Sequence, residues 1–234
     1  MPFSTEYCLD MPADFPDAEF TQFMAVARHV LLMPTQHPSW VEFAGASNLV
    51  GWRFRASTED WQFHKASLAS IRNPDHEELF RRERALFGMF TSGVSVLESV
   101  VYAIAALASH PAVFGIAFGP GEQRICQPRR LHEWLKPHPQ AAILCGILAH
   151  LLDSSEWSLW VDLRNRMSHR SDLPRIINAS VGGPPPVTKP LLFAATSSTP
   201  LVDADTSDFD ALHLWLAATI RELLVEAGKV AKGS

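Results

Sequence analysis

Between Leu79 and Ala108 the residues Leu79, Leu86, Phe90, Val94, Leu97, Val101, Ile104 and Ala108 recur every three or four positions after one gap. On a helix that spacing draws one continuous apolar face, and a face of this length is stable in water only when other elements cover it. Asn73-Pro74-Asp75 supplies a start signal, because asparagine can cap free amides and proline fills the first helical position without losing a hydrogen bond. A helix from there to Ala108 would run ~50 Å, with Gly88 and Gly93 as places to bend. The apolar run from Val94 is interrupted by Glu98 and falls short of the roughly 20 residues that span a bilayer. A buried helix in a globular core is therefore expected, with no membrane partner.

The covering helices can be read on either side of it. Thr21 to Met33 predicts a short helix stopped by Pro34. Trp52-Arg53-Phe54-Arg55 alternates apolar and charged residues, the period of a short strand, and Ser57 with Glu59 and Asp60 predicts a helix start. His110 to Gly121 carries prolines and glycines and predicts a loop, followed by helices over 128–136 and 140–152. Ser154 or Ser155 caps the next helix, which carries Trp157, Trp160, Val161 and Met167 and ends near Arg170. Residues 171–207 are rich in proline and predict a long loop or a hairpin with Ile176-Ile177 and Leu191–Phe193 as strands. Ser207 with Asp210 caps a last helix whose Phe209, Leu212, Leu216, Ile220, Leu223 and Ala227 share a face, stopped by Gly228. The fold expected is all-α, a four-helix bundle over 73–230 with a hairpin or loop insert at 171–207. An irregular arm at 1–20 and an N-terminal helical extension at 21–72 precede it.

Composition narrows the function. The chain of 234 residues is 47% hydrophobic and 19% charged, so it has ample core material, and its net charge of −5 argues against a surface that grips phosphates everywhere. Cys8, Cys126 and Cys145 are odd in number and far apart, which predicts neither a disulfide framework nor a zinc knuckle and suits a reducing, cytoplasmic setting. No phosphate loop, no G-x-S-x-G elbow and no compact His/Cys/Asp/Glu spacing is present, so neither metal nor cofactor is expected.

Against this acidic background Arg164-Asn165-Arg166-Met167-Ser168-His169-Arg170 concentrates positive charge at a helix end. The run resembles the signature of the HEPN superfamily, an arginine followed by a polar residue and, four to six positions after the arginine, a histidine. The helix carrying Val96 to Tyr102 also resembles the first helix of such domains. The resemblance implies a helical bundle that pairs as a homodimer, often with metal-independent endoribonuclease activity at the shared interface, and occurs in toxin–antitoxin and abortive-infection systems, with an antitoxin protein as partner. Other members are non-catalytic modules that dimerise or bind RNA or a nucleotide. Toxin members often carry tyrosine two residues after the histidine, where this chain has Ser171.

On that reading His169 moves the proton, since imidazole holds both protonation states near neutrality, and Arg164 steadies phosphoryl charge with its planar fork. Asn165, four residues before His169, shares its helix face and can orient the ring, whereas Arg164 and His169 lie ~140° apart on a straight helix. Convergence could come from the reach of Arg164, from unwinding at the helix end, or from the same run of a second copy across a two-fold axis, which would make the dimer part of the site. Glu98 and Ser168 are supporting candidates, and Arg166, Arg170, Trp52, Arg53 and Arg55 are candidates for holding RNA through phosphate contacts and base stacking. The same residues also have purely structural readings. Cations at a helix C-terminus interact favourably with its dipole, and the stem of Arg164 can cover Trp160.

Overall fold

The computed structural model describes residues 1–70, 75–169 and 206–233, together with the backbone of 191–193 and 202–204. Eight α-helices and two small strand pairs occur among these residues: β1 Phe3–Ser4, β2 Leu9–Asp10, α1 Asp17–Leu32, α2 Trp40–Ser70, α3 His76–Ala108, α4 Pro120–Ile125, α5 Pro128–Leu135, α6 Ala142–Asp153, α7 Ser155–His169, β3 Leu191–Phe193, β4 Val202–Ala204 and α8 Thr206–Lys232. The fold is an all-α helical bundle, as the periodicity predicts.

The long apolar helix is its axis. Asp75 caps α3 by accepting from the Glu78 amide while the Glu78 carboxylate accepts from the Asp75 amide, so the working cap is Asp75 rather than Asn73. Of the eight stripe residues all but Leu79 are buried, and Leu79 lies beyond the gap, before the core face begins. α2 runs antiparallel to α3, as the bonds Ser57 Oγ to the Met89 carbonyl, Arg53 to Ser99 and Tyr102 to Glu42 show by their opposed order. α7 and α8 pack against other parts of α3, and α8 also packs on α1 and α6. The apolar stretch of α3 is long enough to cross a membrane by composition, but 72% of it is buried inside this core.

Several local expectations are overturned. The segment 52–55 is not a strand and 57–60 is not a helix start, because α2 is continuous from Trp40 to Ser70. Phe43, Ala46, Val50, Phe54 and Trp61 are buried at helical spacing, which outweighs a four-residue alternation. Ser57 and Thr58 do not cap; their hydroxyls donate to the carbonyls of Met89 and Phe54. Gly88 and Gly93 lie within the continuous α3 at close approaches, where a Cβ would overlap the Asp60 carboxylate and the Trp160 ring respectively.

The remaining differences lie nearer the ends. The loop after Ala108 is shorter than expected, since α4 begins at Pro120. α8 continues through Gly228 to Lys232, and Gly228 is buried where α8 passes Phe23 of α1. Asp210 does not cap α8 but binds the Trp61 indole and Lys65, tying α2 to α8. Leu191–Phe193 pairs antiparallel with Val202–Ala204, and the expected partner strand at 176–177 lies outside the described residues. Residues 1–20 are not wholly irregular, for β1 and β2 pair and Met11 and Phe15 are buried. One hydrophobic core runs from Tyr7 through α1, α2 and α3 to Ala231.

Candidate functional site

Ser154 starts α7 by accepting from the Trp157 amide through its hydroxyl, and the helix then runs unbroken to His169. Trp160 anchors it. The indole is fully buried in the space left by Gly93 and meets Phe90 edge-on at 5.2 Å. With the helix docked on that ring, successive residues of the run are divided between core and solvent.

Arg164 and Asn165 fall on the open side. Together with Glu98, Gln127, Arg129, Trp157 and Asp162 they line a cleft of about 480 Å³. The Arg164 guanidinium approaches the Glu98 carboxylate at 3.9 Å, with side-chain exposures of 30% and 41%, too long for a hydrogen bond and open to competition. The buried Nε of Arg164 has no hydrogen-bond partner among the described residues. The expected meeting of Glu98 with Arg164 thus occurs, but loosely.

Arg166 takes the opposite side. Its side chain is only 3% exposed and pairs with Asp162 one turn earlier at 2.6 Å, so it is part of the scaffold and not an RNA-facing residue. Ser168 is exposed. His169 belongs to α7, but its side chain lies outside the described residues, as does Arg170. Because α7 stays helical through both positions, positions 164 and 169 lie ~140° apart around its axis, whereas 165 and 169 fall on one face. Between Arg164 and His169 the helix does not unwind.

The expected stacking and phosphate residues of α2 are dispersed. Trp52 is exposed, Arg55 is engaged by Glu59 and by the Asp10 carbonyl, and Arg53 turns toward α3 to donate to the Ser95 carbonyl and the Ser99 hydroxyl. Arg53 nevertheless borders a second and larger cavity of about 700 Å³ between α2, α3, α4 and α5. Glu98 and Gln127 line both cavities, which makes them neighbours along α3.

Sequence reasoning missed what surrounds that second cavity. Arg124 and Arg130 line it and Arg129 lines the motif cleft; the stretch Arg124 to Arg130 has three arginines and no acid, a signal that was available in the sequence. Tyr102 donates its hydroxyl to Glu42 at 2.7 Å, and burial together with that bond raises its pKa. Burial pushes the Cys126 thiol up to about 12, so it supplies no thiolate nucleophile at neutral pH.

A third cluster looks catalytic by composition. His213 on α8 contacts Asp14 through Nδ1 and Thr58 through Nε2, each at 3.1 Å. Its geometry serves structure. The Thr58 hydroxyl is spent on the Phe54 carbonyl, Thr58 and His213 are buried, and the imidazole packs edge-on against Phe54. Burial alone pushes the Asp14 carboxyl up, but the hydrogen bond and charge of His213 outweigh it and leave the group below its ordinary value. No group of three or more His, Cys, Asp or Glu side chains suited to a metal occurs among the described residues. No family model matches the chain, and no curated protein or solved structure is significantly similar to it.

Proposed function

We propose that this chain is an HEPN-like, RNA-directed protein that cleaves RNA without metal when two copies pair. In this reading Arg164 and Asn165 bind phosphate and orient the ring of His169, and His169 transfers the proton. The observation that supports it is the division of the run along α7: Arg164 and Asn165 line an open cleft beside Glu98, while Arg166 is locked to Asp162 in the scaffold. A loosely held guanidinium in a cleft lined also by Arg129 suits an oligoanion, which can displace the weak contact to Glu98. The ~140° separation of the two positions on one helix supports a homodimer in this reading, in which the second chain's run completes the site. An antitoxin protein and a cytoplasmic setting belong to the same reading.

A second reading is a non-catalytic HEPN-like module that binds RNA or a nucleotide. The continuous helix through His169 favours it, because a pair of residues that diverges within each chain can serve binding without serving one reaction. One experiment separates the two. Labelled RNA is incubated with the wild type, Arg164→Ala and His169→Ala in excess chelator. Cleavage that persists without metal and disappears in both variants supports the enzyme. Binding without cleavage leaves the module, and cleavage unchanged in His169→Ala refutes the catalytic assignment.

A further inference from the structure

The larger cavity between α2, α3, α4 and α5 contains neither Arg164 nor any other residue of the α7 run, and it rests on the RNA-directed reading only through Arg53 and Glu98, which both readings share. Its volume of about 700 Å³ lies within the range of small-molecule sites. Three kinds of group meet there.

The first is cationic. Arg53, Arg124 and Arg130 face two carboxylates, Glu42 and Glu98, so the lining is net positive in a chain of net charge −5. Arg53 is already positioned, one Nη1 being shared between the Ser95 carbonyl at 3.1 Å and the Ser99 hydroxyl at 2.7 Å, which leaves the other edge of the guanidinium for a ligand. Arg124 has no hydrogen bond or ion pair among the described residues, and Arg130 holds only an exposed pair with Glu133. Such unspent planar donors suit phosphate oxygens.

The second is apolar. Val41, Leu49 and Ile125 are among the exposed large hydrophobic side chains of the molecule, and all three line this cavity, with Tyr102 beside them. These surfaces suit the flat faces of a ring. The third is a set of acceptors. Tyr102 occupies Oε2 of Glu42 and leaves Oε1, and Glu98 accepts no hydrogen bond among the described residues, having only its 3.9 Å approach to Arg164. A carboxylate at a nucleobase edge selects an amino group, as glutamate does with the amine of cytosine.

From these juxtaposed groups we infer that the cavity is a binding site for a nucleoside phosphate with an amino-bearing base, its phosphate on Arg53, Arg124 and Arg130 and its base between the apolar side chains and the two glutamates. The same chemistry is offered by a free nucleotide and by one residue of an RNA strand.

Calorimetric titration of the full chain with adenosine monophosphate, uridine monophosphate, adenosine, inorganic phosphate and a short oligoadenylate tests the inference and separates the sources. Adenosine monophosphate should bind at least tenfold more tightly than adenosine, phosphate or uridine monophosphate. The double variant Arg124→Ala/Arg130→Ala, altered only at exposed positions, should unfold as the wild type does and lose at least tenfold in affinity. Arg81→Ala, which removes an exposed arginine elsewhere on α3, should bind normally. Oligoadenylate bound far more tightly than the mononucleotide, with both weakened by the double variant, identifies an RNA strand as the source; the reverse ranking identifies a free nucleotide. No binding of either, equal affinity for the uridine and adenosine compounds, or affinity untouched in the double variant overturns the inference.

Discussion

The motif cleft and the cluster around His213 each set a carboxylate beside a basic side chain, and they differ in what those residues have left to give. At His213 the buried imidazole bridges the partly exposed Asp14 carboxylate and the buried Thr58 hydroxyl, which itself donates to the Phe54 carbonyl. Over Glu98, by contrast, Arg164 and Asn165 border open space and the nearest ion pair is loose. An Asp–His–Thr arrangement satisfied within the fold contributes stability, whereas donors held in place without a partner are what a ligand can use.

The contrast breaks most visibly in stability. Replacing His213 by alanine strips Asp14 and Thr58 of a buried partner and opens a gap against Phe54, so ~2–4 kcal/mol should be lost in denaturant unfolding. Arg164→Ala should lower the same unfolding free energy by less than about 0.5 kcal/mol, being a partly exposed side chain with one weak contact. Equal losses in the two variants would erase the distinction between the regions.

Within α7 the same contrast operates two residues apart. Arg166→Ala removes the partner of Asp162 from an almost fully buried site and should cost ~1–3 kcal/mol, less than a wholly enclosed pair because Asp162 is 35% exposed. Its unfolding midpoint, compared with that of Arg164→Ala, sharpens the claim that the run divides between scaffold and cleft. A smaller effect concerns pH. Since the Asp14 carboxyl is depressed in the folded protein, its contribution is fully present above the ordinary carboxylate value and is lost as pH falls through the lower folded one. Asp14→Asn should therefore flatten the acid side of the stability profile, measured by thermal unfolding from pH 2 to 6, and an unchanged acid limb would contradict the pairing with His213.

How far the sequence carries this picture depends on the range over which each signal acts. The stripes of α3 and α8 were legible because a buried helical face repeats along tens of residues. The α2 segment at 52–55 was misread because four alternating residues fit a strand locally, while Phe54 is buried against Phe15 and His213, which lie far away in the chain. Gly93 and Gly228 read as a bend and a stop, yet their meaning is the proximity of Trp160 and of α1, which no local pattern encodes. In the site, Arg164, Asn165 and Glu98 were legible, the last because an acid in an apolar run asks for a partner. Arg166 was misassigned for want of its burial, and Asp14, Thr58 and His213 are too far apart in the chain for any spacing to join them.

The claim that Arg164 faces a functional cleft is tested most directly by equilibrium binding of labelled single-stranded RNA to the wild type and to Arg164→Ala across a salt series. At least a tenfold loss of affinity at low salt is predicted, with a salt slope shallower by roughly 0.7 per phosphate contact removed and an unfolding midpoint that does not move. Equal affinity in the two proteins, or a loss that follows a fall in stability, would contradict the account.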